Sequence, residues 1–343
     1  MNTSNLNQLL IGHPAYAMAA SRVDDIVRRT IAGEQQILPL CGPSRVGKTY
    51  ATLPAQQQFP ARQEGAKRTV PWLYIKMSQA PSLSSLPRAI LKAAGMGAWA
   101  SRHGGPEVLT GYAQDAVSRL GVRFLVIDEF HHYAEKGAKA SALDAANAVK
   151  NFVDQSGLSC ILPGLPSTML LLNRDEQLRA RALAPHHFLP YVWSIRSHRT
   201  NFENVLADIL RYLECNGFVM SVPTDFMARV YTSSAGRIGV VVKLLNEACD
   251  IARAKKVIDV AVMRKAHGQA IRHETEGTNP FVGEISDAIA MASLLKLMYE
   301  SGYTPEFLIQ MARTEGADEA LIERLLQAMT KAGLKKFRGR FGC

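Results

Sequence analysis

Two short segments of this 343-residue chain combine residue types at spacings that can do chemistry on a phosphate. The first, Gly42-Pro43-Ser44-Arg45-Val46-Gly47-Lys48-Thr49, fits G-x-x-x-x-G-K-[ST] at every fixed position. Glycines let such a loop wrap an anion with successive N–H groups pointing inward, and the amino terminus of a following helix adds its partial positive charge. Lys48 is expected to reach the β- and γ-phosphates of ATP and Thr49 to ligate Mg2+, with Tyr50 opening the helix beside the same nucleotide. Chance yields the pattern in roughly one chain in a hundred of this length. The apolar run Ile37-Leu38-Pro39-Leu40-Cys41 before the loop and Tyr50-Ala51-Thr52-Leu53 after it supply the strand and helix that a phosphate loop needs.

The second segment, about 80 residues further on, is Phe124-Leu125-Val126-Ile127-Asp128-Glu129. Four apolar residues ending in two acids suit a buried strand that delivers carboxylates at its carboxyl end. Asp128 would hold the magnesium through water, and Glu129, not needed as a ligand, would orient and deprotonate the attacking water. Alone the pattern says little, because many core strands end in a charged turn. Paired with a phosphate loop at this separation, it points to hydrolysis rather than binding alone. His131 and His132 follow at once, but the sequence offers them no third metal ligand at a usual spacing and no nearby cysteine, so they read as turn histidines.

These residues need a scaffold. Further apolar runs at Trp72-Leu73-Tyr74-Ile75 and Ser159-Cys160-Ile161-Leu162, with helical patterns such as Leu143 to Val153 between runs, predict an α/β fold with a parallel sheet covered on both faces. Residues 1–36 read as helical, with Val23, Ile26, Val27 and Ile31 at helical spacing. After about residue 195 the strand runs stop, and Phe202 to Leu213 and Ile238 to Ala254 read as amphipathic helices. Turn formers gather at Thr275-Glu276-Gly277-Thr278-Asn279-Pro280 and mark one more boundary. The expected domains are an α/β nucleotide-binding domain over 1–195, a helical lid over 196–276, and a helical appendage over 277–343 that ends in a basic tail with Lys331, Lys335, Lys336, Arg338 and Arg340.

Composition narrows the setting. With 47% hydrophobic and 20% charged residues the chain can bury a sizeable core, and its net charge of +10 favours polyanionic partners. Five widely spaced cysteines give no disulfide framework, which fits a reducing cytoplasm. No basic flank precedes an apolar leader, and no stretch nears the roughly 18 apolar residues of a membrane span, so neither export nor a membrane is expected.

With these motifs in hand, the chain resembles the AAA+ ATPases of the TniB/TnsC family, which regulate target choice for transposons. The likeness runs from about His13 to Arg272. It rests on His13-Pro14, on residues 42–49, on Ile127-Asp128-Glu129-Phe130-His131-His132, on Gly164-x-Pro166, on Asp175-x-Gln177-Leu178 with Arg181, and on Gly236-Arg237-Ile238-Gly239. The resemblance implies AAA+ strand order, a helical lid, ATP and Mg2+ as ligands, and homo-oligomers that wrap double-stranded DNA as a ring or filament of six or seven subunits per turn. It further implies TnsA/TnsB-like transposase subunits and a TniQ/TnsD-like selector or CRISPR effector complex as partners, in a bacterial cytoplasm. Arg181 matches the arginine finger supplied in trans, with Arg179 the alternative, and Arg237 matches the lid arginine that senses the γ-phosphate. The family's usual polar residue after Gly164 is here Leu165, for which Ser167 or Thr168 could substitute. In AAA+ order the strands carrying Pro39 and Pro163 are neighbours, and since proline removes a ladder donor the pair predicts a locally loosened ladder. Lys136, Lys139 and Arg102, in Gly/Ala-rich or turn-rich loops, are the expected contacts to DNA phosphates. Two other readings share the motifs: an origin-recognition or helicase-loading ATPase, and a nucleotide-binding scaffold that does not touch DNA.

Overall fold

The computed structural model describes residues 6, 11–101, 104–135, 137–271 and 279–314. Arg102, Lys136, most of the turn-forming stretch 275–280 and the basic tail lie outside them. The chain divides into two compact units, residues 15–188 and residues 1–14 with 189–343.

The first unit is built on five strands: β1 (Ile37–Cys41), β2 (Trp72–Lys76), β3 (Phe124–Asp128), β4 (Ser159–Gly164) and β5 (His186–His187). Every pairing is parallel and the order is β2-β3-β4-β1-β5. All residues of β1, β3 and β4 are buried, as continuous apolar runs covered on both faces must be. Alternation sends Leu38, Phe124, Val126 and Ile161 against Val23, Ile26 and Val27 of α1 (Pro14–Ile31) and Ala55 of α2 (Leu53–Gln58). It sends Ile37, Leu125, Ile127, Cys160 and Leu162 into the opposite layer, with α3 (Ser85–Ala93), α4 (Pro106–Arg119) and α5 (Ala142–Ser156). Two short helices follow β4: α6 (Thr168–Leu172) and α7 (Glu176–Arg181). Strand β5 is only two residues long, below the length at which periodicity announces a strand.

The predicted loosening at the prolines does not occur. Strands β1 and β4 run in one-to-one register from Ile37↔Cys160 to Cys41↔Gly164, through Pro39↔Leu162 and Leu40↔Pro163, with no bulge. Backbone alternation explains why. Cys160 N–H donates to Gln36 O and Gly42 N–H to Gly164 O, so even-numbered residues of both strands serve this ladder. Pro39 therefore faces the side of β5, and Pro163 faces β3 beyond Val126↔Ile161, the last pair of that ladder. Neither missing N–H falls between β1 and β4.

In the second unit the structure corrects the expectation that strands stop after residue 195. Val219–Ser221 and Val257–Asp259 pair in parallel, three residues each and too short for alternation to be read. The remaining elements are α8 (Arg196–Cys215), α9 (Phe226–Ser234), α10 (Ile238–Ile251), α11 (Val260–Ala270), α12 (Asp287–Glu300) and α13 (Pro305–Thr314). Trp193, Phe202 and Tyr231 form its buried aromatic centre. Tyr231 Oη donates to Tyr191 O at 2.8 Å, and His13 Nδ1 lies 2.8 Å from Tyr191 Oη, which gives His13 a partner inside this unit. Among the described residues no helix is long and apolar enough to cross a membrane.

Candidate functional site

The chain leaves β1 at Cys41 and enters the glycine-rich loop at once. A Cβ on Gly42 would stand 2.3 Å from Phe188 O, so only glycine passes there. Gly47 takes φ +111°, closed to L side chains, while Arg45 holds a left-handed φ of 62°. Buried Val46 packs with Leu40, Ala51 and Phe188 and pins the loop to the sheet. Ala51 N–H donates to Gly47 O at 3.1 Å, opening the 3-10 turn Tyr50–Thr52 that runs into α2. Pro43 is buried, whereas Ser44 and Tyr50 are exposed. Lys48 Nζ donates to Gly42 O and Pro43 O at 2.8 and 2.7 Å. Burial pulls its pKa down to about 8, against the opposing pull of Glu129, Asp128 and Cys41.

Loop and acidic strand meet. Thr49 Oγ1 donates to Asp128 Oδ2 at 2.8 Å, and Tyr74 Oη donates to the same oxygen at 2.7 Å. Asp128 Oδ1 accepts the N–H of Glu129 at 2.9 Å. A buried carboxylate beside a threonine hydroxyl is the oxygen-rich donor set that Mg2+ takes. Tyr74 was not foreseen. The signal lay in Trp72-Leu73-Tyr74-Ile75-Lys76, whose alternate members are buried, so that Tyr74 and Lys76 share the face of Asp128 in the neighbouring strand. Asp128 holds the tyrosine proton in place, and burial first, then that hydrogen bond, raises the Tyr74 pKa.

Glu129 ends the strand with φ 57° and ψ 30°, a left-handed conformation uncommon outside glycine and asparagine. Its N–H also donates to Pro163 O at 3.1 Å. The turn swings its carboxylate back, to 3.9 Å from Lys76 Nζ and 3.4 Å from His131 Nδ1. His131 is 3% exposed, and burial above all lowers its pKa to about 4, so it is neutral at pH 7. Glu129, His131 and His132 each bring an atom of a kind that can ligate a metal within 4.8 Å of the others. Glu135 already engages both imidazoles, at 2.8 Å from His132 Nδ1 and 3.5 Å from His131 Nε2. At the end of β4, Thr168 is fully buried and its Oγ1 has no hydrogen-bond partner among the described residues.

The remaining expected residues are dispersed. Asp175 caps α7 by accepting Leu178 N–H at 2.6 Å, which accounts for Asp175 and Leu178 in physical terms. On that helix Arg181 pairs with Asp154 of α5, while Arg179 is exposed and has no ion-pair partner among the described residues. Arg237, in the second unit, is the buried residue before α10, with Nε donating to Ser234 O at 2.9 Å. Lys139 is exposed, and its backbone N–H donates to Pro81 O.

The architecture has known counterparts. The chain is similar to CDC6P from Pyrobaculum aerophilum (TM-score 0.57, 13% identity, 97% of this chain and 98% of that one). It is similar to the Aeropyrum pernix ORC2 protein in ADPNP-ADP complexes (0.53, 14%, 94% and 80%) and to the Aeropyrum pernix ORC1 protein in complex with DNA (0.53, 14%, 97% and 86%). At such identities the likeness establishes the fold, an AAA+ P-loop NTPase. No curated protein matches the chain. The family profile described as Bacterial TniB protein matches residues 6–190, more than half of the sequence and all of the phosphate loop and acidic strand, and the chain belongs to that family.

Proposed function

We propose that this chain is a Mg2+-dependent ATPase that assembles on double-stranded DNA in its ATP-bound form and couples target choice to transposase recruitment. The observation that carries the nucleotide half is the 2.8 Å bond between Thr49 and Asp128, which joins loop and acidic strand into one site with Glu129 beside it. Lys48 and the loop N–H groups of residues 44–50 hold the phosphates. Thr49 and Asp128 hold Mg2+, which when bound neutralises charge on the phosphate oxygens. Glu129 orients the attacking water and accepts its proton.

Supports for the DNA half are coarser. They are the +10 charge, the family, and the fold shared with a protein solved on DNA. Exposed Lys139, with Lys136 and Arg102, supplies phosphate contacts in this reading. Arg179 or Arg181 reaches a neighbouring subunit's nucleotide, Arg179 being the one without an ion pair among the described residues, and Arg237 reports the γ-phosphate from a lid over 196–276. Transposition, and the selector and transposase partners, rest on family membership alone.

Sedimentation with a DNA duplex tests the reading. Glu129→Gln should hold ATP-loaded assemblies on DNA, and Lys48→Ala should form none. Lys136→Ala with Lys139→Ala should weaken binding alike for all sequences and flatten its salt dependence. DNA binding indifferent to nucleotide would sink the proposal.

A further inference from the structure

A catalytic carboxylate must be aimed, and Glu129 is poorly held by its own backbone. Its left-handed turn is strained for a residue other than glycine and persists only where the surroundings over-determine it. Lys76, at 3.9 Å and largely exposed, is a weak restraint. The buried neighbour is His131, whose Nδ1 stands 3.4 Å from Glu129 Oε2. The same Nδ1 stands 3.4 Å from the amide nitrogen of Leu165, just past β4. Its other nitrogen, Nε2, lies 3.5 Å from Glu135 Oε1.

A neutral imidazole carries one N–H, so these contacts compete. With the proton on Nδ1, the ring donates to Glu129 and fixes its carboxylate. With the proton on Nε2, it donates to Glu135, and Nδ1 accepts from Leu165 N–H instead. Glycine at 164 is what admits the ring to this corner: a Cβ there would stand 3.3 Å from His131 Nδ1 and 2.4 Å from Thr168 Oγ1.

We infer that His131 is the positioning residue for Glu129, its Nδ1–H holding the carboxylate in register for water while the Leu165 amide competes for that nitrogen. The end of β4, which lacks a polar side chain at Leu165, thus acts on the carboxylate through a histidine borrowed from the turn after β3. The inference rests on Glu129 as the base that activates water.

The experiment compares three substitutions by steady-state ATP hydrolysis, with nucleotide binding and thermal melting measured on each. Asparagine places its amide nitrogen near Nδ1, glutamine near Nε2, and alanine supplies neither. His131→Ala and His131→Gln should lower kcat about 10- to 100-fold with KM for ATP within about twofold, as expected of a misaimed group. His131→Asn should keep most of the wild-type kcat. Equal losses in the asparagine and glutamine variants, or an unchanged kcat in His131→Ala, would overturn the inference while leaving Glu129 as base. Glu129→Gln runs alongside: if it hydrolyses ATP like the wild type, the reading of Glu129 falls and the inference with it.

Discussion

The two carboxylates that close β3 are consecutive in sequence and opposite in circumstance. Asp128 is the floor of the site: buried, with hydroxyls of Thr49 and Tyr74 on one oxygen and a backbone N–H on the other, all within 2.9 Å. Glu129 is the mouth: its side chain is about a third exposed, its backbone left-handed, and its contacts to Lys76 and His131 span 3.4 to 3.9 Å. Full hydrogen bonding fixes a group in one place, as a ligand holder requires, whereas the longer contact to His131 aims a carboxylate and still lets it follow its substrate. The difference assigns binding to the floor and chemistry to the mouth.

That division breaks most visibly if the wrong variant loses the wrong property. Glu129→Gln should lower kcat by about 10²- to 10⁴-fold, the usual worth of a general base, with ATP affinity little changed. Asp128→Asn should instead weaken Mg2+-nucleotide binding, because it removes the charge that Thr49 and Tyr74 orient. Titration calorimetry with Mg2+-ADP beside single-turnover hydrolysis separates the two. Equal losses of affinity in both variants would erase the distinction.

Lys48 senses both acids and sharpens the comparison through pH. Its folded pKa is about 8, well below the ordinary 10.5, because burial disfavours the ammonium. Phosphate binding needs that proton, so ATP affinity should hold up to about pH 8 and then weaken as pH rises, by no more than about tenfold per unit. Glu129 is the larger of the two acidic influences that keep the ammonium charged, Asp128 the smaller. The fall should therefore begin at lower pH in Glu129→Gln than in Asp128→Asn. Affinity flat through pH 9 in the wild type would contradict the linkage.

Much of the floor was legible because its residues are consecutive and chemically obligatory. Gly42, Gly47, Lys48 and Thr49 have fixed spacing, and Asp128 ends an apolar run that could only be a buried strand. Strands β1 to β4 were readable as apolar runs for the same reason. Glu129 was legible as a residue, but the geometry of the mouth was not, since it depends on a non-glycine residue taking a positive φ, which no residue type at position 129 announces. Tyr74 and Lys76 were hidden because their run reads as apolar, and only the register with β3 brings them to Asp128. The prolines misled for a related reason: composition counts a missing N–H but does not say which neighbour it faces.

The smallest expected effect separates a used hydroxyl from a spare one at the wall behind the mouth. Thr168 Oγ1 is fully buried without a partner among the described residues, and an unmet buried hydroxyl costs about 1–3 kcal/mol that a methyl of similar shape does not. If His131 alone aims Glu129, Thr168→Val removes a liability and nothing else. The variant should melt a few degrees higher, as about 1 kcal/mol does in a domain of this size, with kcat within about twofold of wild type. A lower melting temperature would mean that the hydroxyl is satisfied in the working protein. A tenfold fall in kcat at unchanged stability would place Thr168 beside His131 as a second group acting on the mouth, the part that the polar residue missing at 165 left open.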